Sequence, residues 1–255
     1  MRAIIIAAGQ GSRLRPHTDD RPKTMVEVAD RPLLHHQLAV YRRFGVTDVV
    51  VIGGYKRRSL RTLGARVVPN HEYLTNNILM SLFCAGPRLV GDVLVSYGDI
   101  IFTPKVLERV LETPLPGVLA VDRMWAKTYE GRTDHPIEQA ELCRVSPQRL
   151  VTRVGKSVGP EGAYGEFIGL ARFSGQLLAR LWGLYLRALD LGDQQPYGDA
   201  PTLRKAYLTD LINDAVAHGE IIGVAPIAGG WREIDTVQDL ARAREVAEFA
   251  MQEDD

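Results

Sequence analysis

The 255-residue sequence is poor in cysteine and lysine and has no excess of either charge. Cys84 and Cys143 are far apart and lack the spacing of a metal-binding pair, so we interpret them as reduced packing residues of a cytoplasmic protein. The 31 basic and 31 acidic residues cancel, which leaves no broad electrostatic surface for nucleic acid or an anionic membrane. Any site that binds an anion must therefore be local.

Long apolar runs are also missing. No stretch approaches the roughly 18 uninterrupted apolar residues of a transmembrane helix, so we expect no membrane span. The apolar run at residues 3–8 is too short for a signal sequence, and no cleavage-site pattern follows it.

Only six of the 31 basic residues are lysine, so a lysine at a chemically suggestive position is harder to attribute to chance.

Strand and helix patterns alternate as far as residue 122. The run at residues 3–8 is continuously apolar, which is typical of a strand buried on both faces. One helix candidate at 34–44 follows, and further strand candidates lie at 48–52, 67–68 and 93–97. This alternation predicts an α/β fold with one doubly wound, mostly parallel, Rossmann-like sheet. Ligands of such sheets bind beyond the carboxyl ends of the strands.

We expect residues 1–255 to form a single domain. Residues 123–165 interrupt the alternation with several prolines and short strand candidates, and we interpret them as a small β-rich insertion, or lid, over the site. The remaining candidates are a strand at 166–173, helices at 176–189 and 203–218, a strand at 221–226 and a closing helix at 236–251 capped by Thr236.

A glycine-containing loop, residues 8–16, directly follows the first strand candidate. Gly9 and Gly11 let the backbone approach a phosphate, and Arg13 adds charge-assisted hydrogen bonds. The loop alone is weak evidence, because it lacks the third glycine of a dinucleotide fingerprint and the lysine of a Walker A motif. A tight turn with solvated arginines is the alternative. Lys23 strengthens the functional interpretation, since its ammonium can return to the same phosphates.

The run AAGQGSRLRP followed by RPK resembles the signature of the sugar-phosphate and cytidylyl nucleotidyltransferases. The resemblance implies that the loop holds a nucleoside triphosphate through Ala8, Gly9, Gly11, Ser12 and Arg13. It also implies that Lys23 neutralises the α-phosphate, which makes Arg13 and Lys23 catalytic candidates.

The same resemblance covers a pair of aspartates. Gly98 and Asp99 follow a strand candidate, and Asp235 precedes the last helix candidate. Aspartates at these places hold Mg²⁺ in the family, so the resemblance implies Mg²⁺ as cofactor, a metal that prefers hard oxygen ligands. Gly98 would lie beside the nucleotide. A turn aspartate and a helix N-terminal charge are the plain structural alternatives.

Other segments resemble the choline-phosphate and phosphonate cytidylyltransferase branch, so the likeness covers nearly the whole chain. Residues 76–82 are similar to the helix start that meets the base, which makes Ser81 the candidate for reading a pyrimidine; a polar helix cap is the alternative. The resemblance implies that Lys156 binds the acceptor's phosphoryl group. It extends to the segments that contain Glu166, Asp210 and Trp231, which we predict to bind the acceptor.

The acceptor pocket has two interpretations. Asp210, Trp231, Trp125 and Tyr129 form either an anionic, aromatic pocket for an amine or a set of core aromatics with a solvated helix carboxylate. The six histidines lack metal-ligand spacing, and we expect them to pack or to face solvent.

Together these features predict a CTP-dependent cytidylyltransferase that transfers CMP to a small phosphonate or phosphate monoester and releases pyrophosphate. The nucleophile is already ionised near neutral pH, since its second pKa is about 6, so no general base is required. Catalysis would come from positioning and from charge neutralisation by Mg²⁺, Lys23 and Arg13.

The alternatives are a sugar-1-phosphate or cofactor nucleotidyltransferase and a regulatory nucleotide-binding protein without turnover. A glycosyltransferase is disfavoured, because no Asp-x-Asp occurs. The acceptor's identity and a homodimeric state are left open.

Overall fold

The computed structural model describes residues 1–243, without the side chains of residues 61–63. The strands of this range are β1 Arg2–Ala7, β2 Glu27–Val28, β3 Arg31–Pro32, β4 Asp48–Gly53, β5 Arg66–Pro69, β6 Val93–Tyr97, β7 Ile100–Phe102, β8 Gly117–Asp122, β9 Leu142–Val145, β10 Val151–Gly155, β11 Gly165–Phe173, β12 Ile222–Ile227 and β13 Trp231–Glu233. The α-helices are α1 Leu33–Arg43, α2 Ile78–Phe83, α3 Pro104–Glu112, α4 Trp125–Tyr129, α5 Gly175–Asp190, α6 Leu208–Ala217 and α7 Val237–Arg242.

Nine of these strands form the central sheet, in the order β10-β9-β11-β6-β1-β4-β5, with β8 pairing both β11 and β12. Strand β1 lies between β4 and β6 and is parallel to both, and β12 is parallel to β8. Strand β11 runs antiparallel to β6, β8 and β9, and β10 runs antiparallel to β9. Every strand of this sheet except β10 and β11 therefore points the same way, which confirms the predicted mostly parallel α/β sheet.

Helices cover both faces of the sheet. The apolar residues of α1 and α3 pack on one face, and those of α2, α5 and α6 pack on the other. Within β1, Ile4 and Ile6 belong to one core and Ile5 to the other. A strand that is buried on both faces needs a continuous apolar sequence, and each fully buried isoleucine contributes about 1.5–3 kcal/mol. The apolar run of β1 thus follows from its central position.

The predicted helix at 203–218 begins later than expected. Residues Leu203–Lys205 form a 3-10 turn, and α6 starts at Leu208. Tyr207 is extended, and its backbone N–H donates to Asp210 Oδ2 at 2.8 Å, which fixes the helix N-terminus there.

The closing helix begins as predicted, because the Thr236 hydroxyl accepts the backbone N–H of Asp239 at 3.1 Å. Helix α7 is described to Arg242, and the rest of the predicted helix, residues 244–251, lies outside the described residues. Within residues 1–243, none of the helices combines the length and apolarity needed to cross a membrane.

The segment 123–165 contributes α4, β9 and β10 and has a small core of its own. Trp125 and Tyr129 pack there against Ala140, Leu142 and Val158. The two rings meet edge to face with centroids 6.1 Å apart. Both aromatics are therefore core residues of the segment, the second of the two interpretations offered above. That residues 1–255 form one domain with this segment as a lid stays a prediction.

Candidate active site

The loop after β1 lies directly against Lys23. Gly11 has a φ of 62°, a left-handed conformation that favours glycine, and a Cβ there would lie 2.9 Å from the Lys23 Cβ. A Cβ at Gly9 would meet nothing within 4 Å, so this part of the loop faces open space. Residues Ser12–Leu14 form a 3-10 turn that is anchored by the fully buried Leu14. The loop is thus held at its base and open towards solvent.

Gly98 brings the end of β6 to the same edge of the sheet. A Cβ at Gly98 would lie 2.8 Å from the Ile6 carbonyl oxygen, so only glycine allows this close approach to β1. Asp99 follows at once and lies beside the loop.

The four charged residues predicted from sequence form one connected cluster, which is joined by three ion pairs. The Lys23 ammonium donates to Asp99 Oδ2 at 2.8 Å and also to Asp235 Oδ1. Arg13 donates to Asp235 Oδ2. Burial would lower the pKa of Lys23, but Asp99 and Asp235 outweigh burial and raise it above its usual value. Burial would raise the pKa of Asp235, but Lys23, His135 and Arg13 hold it well below its usual range. Lys23 and Asp235 are therefore both held in their charged forms.

The donor set of this cluster suits a divalent cation. Asp99 Oδ1 is buried and has no hydrogen-bond partner among the described residues, although buried polar atoms are normally paired. Asp99 and Asp235 already converge on one cation, the Lys23 ammonium. Carboxylate oxygens are the hard ligands that Mg²⁺ prefers, and Asp99 Oδ1 has no hydrogen-bond partner among the described residues. Asp99 and Asp235 therefore fit the predicted Mg²⁺. Mg²⁺ itself stays a prediction.

A first cavity of about 340 Å³ opens beside this cluster. Its walls include every residue predicted to bind the nucleotide, namely Ala8, Gly9, Gly11, Ser12, Arg13, Lys23, Ser81 and Gly98. Tyr73, Asn76 and Asn77 line the same cavity. The structure thus brings these predicted residues together, while their contact with a nucleotide stays a prediction.

Ser81 lies on α2 and is buried in a polar network. Its hydroxyl donates to the Asn77 carbonyl at 2.9 Å and accepts from Asn70 Nδ2 at 2.9 Å. Asn70 and Asn76 also exchange hydrogen bonds through their side-chain amides, at 2.8 and 3.2 Å. Since the single hydroxyl proton is already donated, what remains at Ser81 is an acceptor lone pair.

A second cavity of about 200 Å³ adjoins the first. The two cavities share five lining residues: Arg13, Ile78, Tyr97, Asp99 and Asp235. Three predicted acceptor residues, Lys156, Glu166 and Trp231, line the second cavity. The charged cluster therefore separates two compartments, one on the side of the loop and one on the side of Lys156.

Lys156 is held at the wall of the second cavity by two side chains. Its ammonium donates to Gln139 Oε1 at 2.9 Å and to the Tyr207 hydroxyl at 3.2 Å. It also lies 4.4 Å from the centroid of the Tyr207 ring, a cation–π contact. Neither of these two hydrogen-bond partners is a carboxylate, so the positive charge of Lys156 is oriented without being neutralised by them. This arrangement suits the binding of an anion.

Two buried glutamates face the same cavity. Glu166 Oε1 accepts from the Tyr129 hydroxyl at 2.8 Å, and Glu166 Oε2 has no partner among the described residues. Burial raises the pKa of Glu166 to about 8. Glu141 accepts from the Tyr97 hydroxyl at 3.0 Å, and burial raises its pKa to about 7. The charge of the second cavity therefore changes near neutral pH.

The structure does not bring Asp210 to either of these cavities. Asp210 Oδ2 accepts the Tyr207 N–H and Asp210 Oδ1 accepts the Asp199 N–H, both at 2.8 Å. Both oxygens thus cap the N-terminus of α6 and the turn beside it. Asp210 also lines a third cavity of about 330 Å³ together with Lys156 and Tyr207, and its contact with the acceptor stays a prediction. The indole N–H of Trp231, in contrast, donates to Asp122 at 2.8 Å while the ring lines the second cavity.

His135 and Glu233 are site residues that the sequence analysis missed. His135 Nε2 lies 3.2 Å from Asp235 Oδ2 and 3.3 Å from Glu233 Oε2, whereas the sequence analysis expected the histidines to pack or to face solvent. These three side chains offer ligand atoms that all lie within 4.8 Å of one another. His135 is about a hundred residues from the other two in sequence, so no spacing pattern predicts that the three meet. The only local signal is that Glu233 lies two residues before Asp235, which places a second carboxylate near it.

A buried arginine ties the segment 123–165 to the Asp235 loop. Arg132 donates to Asp239 at 2.6 and 3.0 Å and to Glu233 at 2.9 Å. Asp239 Oδ2 in turn accepts the backbone N–H of Asp235 at 3.1 Å. The position of Asp235 is therefore linked to the insertion through two side chains.

The sequence of the chain is similar to those of known proteins. A family model described as the MobA-like NTP transferase domain matches residues 3–163. The chain is 26% identical to the CTP:phosphoglutamine cytidylyltransferase of Campylobacter jejuni over 94% of this chain and 98% of that protein. It is 37% identical to the CMP-5'-(3-aminopropyl)phosphonate synthase of Streptomyces rubellomurinus over 131 residues, which cover 48% of this chain but 21% of that protein.

Solved structures share the fold. The CTP:phosphocholine cytidylyltransferase of Streptococcus pneumoniae superposes with a TM-score of 0.75 at 21% identity, covering 96% of this chain and 98% of that one. The inositol-1-phosphate CTP transferase of T. maritima gives a TM-score of 0.73 at 22% identity, covering 97% and 94%. At these identities the likeness concerns the architecture alone.

Proposed function

Since the chain belongs to the MobA-like NTP transferase family and is a nucleotidyltransferase, we propose that it transfers CMP from CTP to a small phosphonate or phosphate monoester and releases pyrophosphate. The observation that carries the proposal is the meeting of two cavities at Arg13, Asp99 and Asp235. A donor phosphate on one side and an acceptor on the other would face each other across this cluster.

The chain's own residues would act by positioning and charge. CTP binding would draw Arg13 and Lys23 from the aspartates to the triphosphate, and Lys156 would hold the acceptor's phosphoryl or phosphonyl group. An ionised acceptor oxygen then attacks the α-phosphorus in line, and pyrophosphate leaves. Mg²⁺, when held by Asp99 and Asp235, would supply further charge neutralisation. We also propose that residues 123–165 cover this site, since Lys156 and His135 come from them.

Two observations support CTP over other nucleotides. Ser81 retains only acceptor capacity, which suits the amino group at C4 of cytosine and not the carbonyl oxygen of uracil. The relative that aligns over nearly its whole length is named for CTP. We therefore expect CTP to be preferred to UTP.

The acceptor class rests on the second cavity. Its small volume and the single ammonium of Lys156 suit one phosphoryl or phosphonyl group on a short organic part. The curated relatives are named for phosphoglutamine, an aminopropylphosphonate and choline phosphate. Each of these small acceptors carries one phosphoryl or phosphonyl group on a short organic part.

The test is pyrophosphate release with Mg²⁺, measured for each of the four NTPs and for dTTP against a panel of acceptors. The panel holds phosphoglutamine, phosphocholine, aminoethylphosphonate, aminopropylphosphonate and glucose-1-phosphate. Turnover restricted to CTP and to one of the first four is the expected result. Turnover with glucose-1-phosphate and UTP or dTTP would move the protein to the sugar-phosphate branch. CTP binding without turnover on any acceptor would instead favour a regulatory protein.

A further inference from the structure

His135, Glu233 and Asp235 form a compact group of ligand atoms at the wall of the second cavity. The side chain of His135 is 3% exposed, that of Asp235 10% and that of Glu233 25%. Two carboxylate oxygens converge on the single nitrogen Nε2, at 3.2 and 3.3 Å. Each of these oxygens also accepts from an arginine, since Arg132 donates to Glu233 Oε2 at 2.9 Å and Arg13 donates to Asp235 Oδ2. The charge balance of the group therefore depends on cations that come from outside it.

Nucleotide binding would leave an excess of negative charge at this group. Asp235 Oδ1 accepts from Lys23, and Asp235 Oδ2 accepts from Arg13. On the proposed function, both cations turn to the triphosphate. Asp99 and Asp235 Oδ1 would then hold the magnesium ion described above, but Asp235 Oδ2 would keep only His135. A buried carboxylate oxygen without a cation is costly, and the Glu233 carboxylate beside it has Arg132 as its only cationic partner within residues 1–243.

We propose that His135, Glu233 and Asp235 form a second divalent-metal site, distinct from the Asp99–Asp235 pair, which faces the acceptor cavity. Its ligand atoms are His135 Nε2, one oxygen of Glu233 and Asp235 Oδ2. Asp235 would serve both sites, with one oxygen directed to each.

The ligand set selects the class of metal. One imidazole nitrogen with two carboxylate oxygens favours a first-row transition ion such as Mn²⁺, Co²⁺ or Zn²⁺ over Mg²⁺, which prefers oxygen ligands. Three protein ligands leave coordination positions open, and here they open towards Lys156 and Glu166 in the second cavity. The site therefore binds an oxygen of the acceptor's phosphoryl or phosphonyl group, a role that rests on the proposed function.

Metal binding is measured first, without acceptor, in the free chain and with a CTP analogue that cannot be cleaved at the α-phosphorus. The full chain, stripped with chelator, is titrated with Co²⁺ while the visible d–d spectrum is recorded, and binding is repeated with Zn²⁺ by calorimetry. We expect a nitrogen-ligated Co²⁺ spectrum that His135→Ala abolishes and that Glu233→Gln weakens about tenfold or more. Asp99→Asn should retain the spectrum, because Asp99 belongs to the other site. His71→Ala removes an exposed histidine outside both cavities and is the matched control.

The outcomes are separable. Equal Co²⁺ and Zn²⁺ binding by the wild type, His135→Ala and Glu233→Gln, with circular dichroism confirming folded proteins, would overturn the site. Cytidylyl transfer is then assayed with Mg²⁺ alone and with Mg²⁺ plus Mn²⁺. A lower KM for the acceptor with Mn²⁺, absent in His135→Ala, is the expected result; an unchanged KM would overturn the acceptor role. Metal binding that depends on His135 in a protein without any turnover would overturn the proposed function and leave the metal site standing.

Discussion

The two cavities are built in different ways. The first is lined on one side by the loop that follows β1, which lies against Lys23, and on the other by residues between 73 and 81. The second is assembled from separate segments that meet only in the folded chain, and buried titratable side chains dominate it. The first cavity suits a triphosphate, which is the same in every nucleotide substrate. The side chains of the second cavity come from separate segments, so each can be replaced without changing the others. We infer that chemistry resides at the shared cluster and that specificity for the acceptor resides in the second cavity.

The largest expected effect is at the shared cluster, where a variant should affect all acceptors equally. Asp99→Asn removes a charge that we assign to the metal and leaves the side chain's shape. We expect kcat to fall about a thousandfold, roughly 4 kcal/mol of transition-state stabilisation, with every acceptor that is turned over. Asp19→Asn, at an exposed site outside both cavities, is the control. A loss limited to one acceptor would contradict the division of roles.

The second variant tests the acceptor side. Lys156→Ala removes the ammonium held by Gln139 and Tyr207. A lost charge-assisted contact costs about 1.5–3 kcal/mol, so we expect the KM for the acceptor to rise about 10- to 100-fold. The KM for CTP should stay within about twofold, because Lys156 does not line the first cavity. Lys127→Ala, an exposed lysine of the same insertion, is the matched control. Equal changes in both KM values would erase the distinction between the cavities.

These differences also explain how much the sequence could predict. The burial of β1 on both faces imposes a continuous apolar run, and the glycine loop follows it directly, so the sheet and the first cavity leave local signals. Gly11 and Gly98 could be placed together because each follows a strand candidate, and Lys23 could be added through its short distance from the loop and the family resemblance. The strand β11, antiparallel inside the sheet, leaves no such signal, because its sequence is apolar on both faces like that of its parallel neighbours.

The second cavity was only partly predictable. Lys156 and Glu166 were found through resemblance, but Glu141 and His135 carry no local pattern and reach the site through tertiary packing alone. Asp210 shows a different ambiguity. A carboxylate at the third position of a helix suits an N-terminal cap as well as a ligand site, and only the geometry of Tyr207 decides between them.

The third prediction separates stability from specificity at Asp210. Asp210→Ala leaves the backbone N–H groups of Tyr207 and Asp199 without their acceptor, so we expect the free energy of unfolding to fall by about 1–2 kcal/mol. The KM for the acceptor should not change in the folded enzyme, in contrast to Lys156→Ala. Urea unfolding and steady-state kinetics measure the two quantities, with the exposed Asp190→Ala as the control. A raised acceptor KM with unchanged stability would return Asp210 to the acceptor site.

The smallest effect concerns the buried charge of Glu166 and its dependence on pH. Burial raises the pKa of Glu166 from 4.5 to about 8, so between these values the folded chain binds a proton that the unfolded chain has released. The free energy of unfolding must therefore fall as the pH rises through this window, by on the order of 1 kcal/mol between about pH 6.5 and about pH 7.5.

Glu166→Gln stays neutral at every pH and should flatten this slope, although Glu141 still contributes below its pKa of about 7. Urea unfolding of the wild type, Glu166→Gln and the exposed Glu161→Gln measures the slopes. Parallel slopes for all three would mean that Glu166 is ionised in the folded protein, and the second cavity would then carry a fixed negative charge beside Lys156.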